Sequence, residues 1–128
     1  MKKILASLVV LVLVASCKKG ETNTPQKTYT VQYKLELAAV ANTTLTGTAT
    51  YISKTSATST ATLASPGWTV TESNWALKTG DRIGFTTNIT NLASYKAFLI
   101  IDGGVKVLQS EASSFPLNGK IDVYYTMP

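Results

Sequence analysis

From Tyr29 onward the chain alternates with a period of two, and this constrains its fold more than any other feature. Tyr29, Val31, Tyr33, Leu35 and Leu37 are interleaved with Thr30, Gln32, Lys34 and Glu36. Successive side chains of a strand point to opposite faces, so this segment has one apolar side and one wet side. The pattern recurs downstream. Leu45 to Ile52, Ala57 to Leu63, Trp68 to Leu77 and Arg82 to Thr90 all read as strands, rich in threonine and β-branched residues that suit a pleated surface. Tyr95 to Ile101 is apolar on both faces, which predicts a central strand. Val105 to Gln109 returns from it, and Ile121, Val123 and Tyr125 form the last alternating segment.

Turn chemistry punctuates these segments. Asn42, Ser53 to Ser56, Ser65-Pro66-Gly67, Thr79-Gly80-Asp81 and Pro116 to Gly119 break the alternation. Asp102-Gly103-Gly104 predicts a tight hairpin, because glycine accepts the positive φ such turns demand. The Ser/Thr-rich span 53–65 alternates too, and so reads as a strand edge rather than as a disordered or glycosylated tract. Seven or eight short strands and no amphipathic helix predict an all-β, antiparallel, immunoglobulin-like sandwich over residues 29–128. A small β-barrel is the alternative.

The first 28 residues follow other rules. Lys2 and Lys3 open an apolar run from Ile4 to Val14, and Ala15-Ser16 lead into Cys17, the one cysteine of the chain. The run is shorter than the about 20 apolar residues a membrane span needs, and its layout is that of a secretory signal. Val14-Ala15-Ser16-Cys17 resembles the lipobox of bacterial lipoproteins. The resemblance implies cleavage between Ser16 and Cys17, with diacylglycerol on the Cys17 thiol. Residues 1–16 are then the signal peptide and residues 17–28 the lipidated cysteine with a polar tether. As a flexible coil that tether would span roughly 15–20 Å on average.

Removing residues 1–16 from the 128 leaves 112, enough for one domain that buries roughly 65% of its unfolded surface. The net charge of +5 falls to +3 once Lys2 and Lys3 leave. The remaining positives are scattered without a basic stripe and interleaved aromatics, so nucleic acid is not an expected partner. Catalytic candidates are scarce. The chain has no histidine, the commonest general base and metal ligand. A lipidated Cys17 supplies neither a nucleophile nor a disulfide. Asp81, Asp102 and Asp122 fall at turns or strand edges, where aspartate is ordinary turn chemistry. No metal site, cofactor or catalytic residue is expected.

The aromatic residues are the binding candidates. Trp68, Trp75 and Tyr124, with Tyr51 or Tyr95, would make a stacking platform for a sugar or an apolar groove for lipid. Trp68 reads rather as the core tryptophan of a sandwich. Trp75, among polar Ser73, Asn74 and Lys78, stays open between core and platform. Of Tyr124 and Tyr125, the latter shares the parity of Ile121 and Val123 and is the expected inward residue.

Tyr-Thr-Val-Gln-Tyr (29–33), Thr-Tyr-Ile-Ser (50–53), Pro-Gly-Trp (66–68), Lys-Thr-Gly-Asp-Arg-Ile (78–83) and Phe-Leu-Ile-Ile-Asp-Gly-Gly-Val-Lys-Val (98–107) resemble small envelope sandwich proteins of the MmpS type. That resemblance implies a membrane-attached accessory of a lipid-transport system without catalysis of its own. MmpS-type proteins carry a transmembrane helix where this chain has a lipobox, so only the fold is carried over. The expectation is a non-catalytic, lipid-anchored envelope protein. It would sit at the outer membrane facing the periplasm, or at the cell surface, with a protein, glycan or lipid partner.

Overall fold

A computed structural model describes residues 26–128. The expected signal peptide, the expected cleavage at Ser16–Cys17, the expected lipidation of Cys17 and most of the expected tether lie outside the described residues. Eight antiparallel strands follow in order: β1 (Tyr29–Ala39), β2 (Thr46–Ile52), β3 (Thr58–Leu63), β4 (Gly67–Trp75), β5 (Arg82–Thr90), β6 (Leu92–Ile101), β7 (Gly104–Ala112) and β8 (Asp122–Thr126). They form two four-stranded sheets, ordered β4-β1-β6-β7 and β3-β2-β5-β8. The sheets face each other as a sandwich and do not close into a barrel. The two-layer architecture is the expected one, with β1 inside its sheet rather than at an edge.

The alternation of β1 works as read. Val31, Tyr33, Leu35 and Leu37 are buried, while Thr30 and Glu36 are exposed. Opposite them lie Ala49 of β2, Ile83 and Phe85 of β5 and Val123 of β8, all fully or almost fully buried. Thr87 shares the inward side of β5 with Ile83 and Phe85, and its hydroxyl is satisfied. It donates to the Gly119 carbonyl at 2.7 Å and accepts from the Ile121 amide at 3.0 Å. Those two bonds pin the segment that leads into β8.

Tyr33 ties the sheets together. Its hydroxyl donates to the Ile52 carbonyl across the sandwich at 2.9 Å. Its ring meets Phe85 edge-on at 5.6 Å and Tyr51 at 6.0 Å, and Trp68 closes the group at 5.4 Å from Tyr51 and 5.6 Å from Phe85. Burial pushes the Tyr33 phenol up, and the nearby Glu72 carboxylate adds to the rise. An unfolded chain ionises this tyrosine near pH 10. A folded-state value raised above that leaves stability unchanged below about pH 10. Above it, stability is lost at about 1.4 kcal/mol per pH unit as the unfolded state releases its proton. Tyr33→Phe is expected to cost about 1 kcal/mol at neutral pH, through the lost hydrogen bond. It should also flatten the alkaline decline in a urea-unfolding series from pH 8 to 11; a decline as steep as the parent's would refute this role.

Two boundaries differ from expectation, each at an asparagine. Residues 91–94 fall between the expected strands Arg82 to Thr90 and Tyr95 to Ile101, which leaves them as a connection. Instead, Asn91 alone makes the corner, with φ of 65°, and β6 begins at Leu92. Asn91 holds that corner by donating from Nδ2 to the Thr44 carbonyl at 2.8 Å. At the β6–β7 hairpin the prediction holds. Ile101 pairs with Gly104 across Asp102 (φ 49°) and Gly103 (φ 80°), the positive pair a two-residue turn requires. The second difference, at Asn74, decides the fate of Trp75.

Candidate functional site

Along β4 the burial alternates until Glu72: Trp68, Val70 and Glu72 are half-buried, while Thr69 and Thr71 are exposed. Continued alternation would send Trp75 outward. Asn74 instead adopts φ of 56°, and the register against β1 slips between Tyr29 and Val31. Ser73 and Asn74 both face water, and the parity reverses. Trp75 therefore turns inward and is 5% exposed. The platform reading of Trp75 is corrected: its indole is core. Trp68, by contrast, packs on the core through the aromatic group around Tyr33 and keeps part of its surface exposed.

Tyr124 lies on the other side of the second sheet. It pairs with Gly84 of β5, on the outer face, and its ring covers that glycine. The Arg82 guanidinium stacks on it at 3.9 Å. Tyr125 packs against the core as its parity predicts, though it stays half-exposed. Thus the structure does not bring Trp68, Trp75 and Tyr124 into one platform. Trp75 is interior, Trp68 sits with Tyr51 and Phe85, and Tyr124 is outside, between Gly84 and Arg82.

The carboxylates follow the turn chemistry expected of them. Asp81 accepts from the Lys78 amide at 2.9 Å, Asp102 from the Thr30 amide at 2.8 Å, and Asp122 from the Thr86 hydroxyl. Among the described residues no three His, Cys, Asp or Glu side chains converge on a point that could hold a metal ion.

Two open faces remain, and they differ in kind. On the β3-β2-β5-β8 sheet, hydroxyls form rows. Thr60, Thr50, Thr86 and Asp122 stand side by side across four strands, and Thr62, Thr48 and Asn88 form the next row. Thr48, Thr50, Thr86 and Asn88, with Asn118 and Lys120, line a depression of about 430 Å³. The outer face of the other sheet is apolar at one end. Phe98 stands opposite Leu108, and Ile100 opposite Val105. At the other end Glu36, Ala38, Pro66, Ser94, Lys96 and Ser110 line a trough of about 520 Å³, beside Tyr95 and Glu111. The Tyr95 phenol is raised by burial and by the Glu111 carboxylate.

Sequence reasoning missed the apolar end. It read β6 as central because both of its faces are apolar, and central it is, between β1 and β7. Yet among the described residues no third layer covers Phe98 and Ile100, which stay half-exposed. On β7 the signal was hidden by a bulge. Leu99 pairs with Val107 but Ile100 with Val105, so Lys106 is the extra residue and Val105 and Leu108 face the same way.

No protein-family model matches the chain, and no curated protein matches it.

Proposed function

We propose that this chain is a lipid-anchored protein of the cell envelope, without catalysis of its own, whose sandwich serves interaction or structural support. One observation carries the reading: a basic start and an apolar run end in Val14-Ala15-Ser16-Cys17, which contains the only cysteine. A thiol placed there has a covalent use that a lone core cysteine does not. Two or three acyl chains hold a protein firmly where one holds marginally, at about 0.8 kcal/mol per buried methylene. The polar residues 18–28 then join a folded domain to the bilayer. A hydroxyl-lined outer face on one sheet, and Asp81, Asp102 and Asp122 committed to backbone and hydroxyl partners, fit a module that presents surfaces. The favoured location is the outer membrane, facing the periplasm. Globomycin, which blocks the lipoprotein signal peptidase, should make an uncleaved precursor accumulate in the membrane fraction; processing that continues unchanged would refute the reading.

The hydroxyl depression on the second sheet supports a further reading, a carbohydrate-binding module. Threonine hydroxyls and asparagine amides offer the mixed donors and acceptors a polyol needs. Such binding would no longer use Trp75. In NMR titrations with a glycan panel, shifts should concentrate at Thr48, Thr50, Thr86 and Asn88. A panel that leaves all four unmoved would remove the carbohydrate reading.

A further inference from the structure

We propose that the outer face of β6 and β7 lies against anionic lipid headgroups, so that the domain rests on the bilayer through a patch of its own as well as through its anchor. The proposal rests on the reading of Cys17 as that anchor. Phe98, Ile100, Val105 and Leu108 point away from the core on two adjacent strands. Val105 is 54% exposed and Leu108 58%. Single exposed apolar residues are ordinary, but a contiguous group on one face marks a surface that meets something. The opposite face of the sandwich is hydroxyl-lined, so the asymmetry belongs to this side.

Charge selects the partner. Lys34, Lys96 and Lys106 fringe the patch, with the Lys34 ammonium 5.3 Å above the Phe98 ring. Of the acidic groups, Asp102 sits at the β6–β7 turn beside Ile100 and Val105, its carboxylate accepting from the Thr30 amide, and the others stand further along the strands. Glu36 is paired with Lys34 at 3.3 Å, and Glu111 lies beside Tyr95 in the trough. Lysines around apolar side chains match a surface with phosphates outside and acyl chains beneath. Each lysine held near an anionic bilayer contributes about 1 kcal/mol.

Position gives the third argument. The Thr30 amide donates to Asp102 Oδ1 at 2.8 Å, and the Asp102 amide donates to the Thr30 carbonyl at 2.9 Å. The start of β1 and the β6–β7 turn are therefore side by side. The tether enters the domain at that end, where Ile100 and Val105 flank the turn. The twelve residues 17–28 can reach no more than about 40 Å even if fully extended, so an acylated Cys17 confines this end of the sandwich to the neighbourhood of the bilayer. High local concentration turns a weak patch into an occupied one.

The test uses the mature chain, residues 17–128, carrying Cys17→Ser so that no acyl chain contributes. It is sedimented with vesicles rich in phosphatidylglycerol and with vesicles of phosphatidylcholine alone. Binding should favour the anionic vesicles by at least about tenfold and weaken with salt. Leu108→Asp and Lys106→Glu, both at exposed positions, should each reduce it several-fold with unfolding temperatures unchanged. No binding to the anionic vesicles, or binding indifferent to both substitutions, would overturn the proposal. So would self-association of the chain that Leu108→Asp abolishes without any vesicle binding, which would assign the patch to a second copy. Absent vesicle binding alongside an acylated native Cys17 sinks the face alone. Vesicle binding alongside a bare native Cys17 keeps the face and removes the anchor.

Discussion

Gly84→Ala is expected to destabilise the domain by at least about 3 kcal/mol, and to leave much of it unfolded at 37 °C. Two costs add. The φ of Gly84 is +155°, a conformation L side chains rarely adopt. A Cβ there would also lie 2.1 Å from the Val123 carbonyl and 2.5 Å from the Tyr124 ring. Backbone cannot yield as a side-chain tip can, because β5 and β8 are hydrogen-bonded at this point. Gly80 is the control. Its φ is +90°, but nothing lies within 4 Å of the added atom. Gly80→Ala should therefore cost only the backbone term, about 1 kcal/mol. Urea unfolding of the two variants decides the matter. Equal losses would mean that close approach of β8 is not what the glycine provides.

Trp75→Ala should cost about 3–5 kcal/mol, the usual range for removing a large buried aromatic. A domain of this size has a total stability of about 5–15 kcal/mol, so this loss is a large share of it. The prediction separates core from platform. An exposed stacking tryptophan would be removable at under about 0.5 kcal/mol. The bulge that turns it inward gives a second handle. Asn74→Gly keeps the left-handed conformation available and should change stability little, whereas Asn74→Val should cost about 1–2 kcal/mol or more. If Asn74→Val proves neutral, the reversal of parity along β4 is wrong.

These two residues show what local pattern can and cannot convey. The bounds of β5, Arg82 to Thr90, follow directly from alternation, as does the inward set of β1. The Asp102-Gly103 turn is legible because a positive φ at two positions needs those residue types. Trp75 is a different case. Its orientation depends on whether Asn74 takes one left-handed step, and asparagine is comfortable either way. The choice is made by pairing with β1, where the partners on either side of the slip lie 41 and 46 residues back along the chain. Asn91 hides the β5–β6 corner for the same reason, and Lys106 hides the shared face of Val105 and Leu108. Alternation assigns each residue to one of two sides. It does not report whether a further layer covers that side, so the open face of β6 was invisible. The N-terminal segment is of another kind: its order of charge, apolar run, small residues and cysteine is a local pattern that needs no tertiary structure to be proposed as a signal, and it lies outside the described residues.

The account therefore rests on a covalent bond at Cys17, and mass spectrometry of the N-terminal peptide from native membranes tests it most directly. The expected peptide begins at Cys17 and carries diacylglycerol on sulfur. A peptide with a free Cys17 thiol, or one that retains residues before Cys17, would contradict the account.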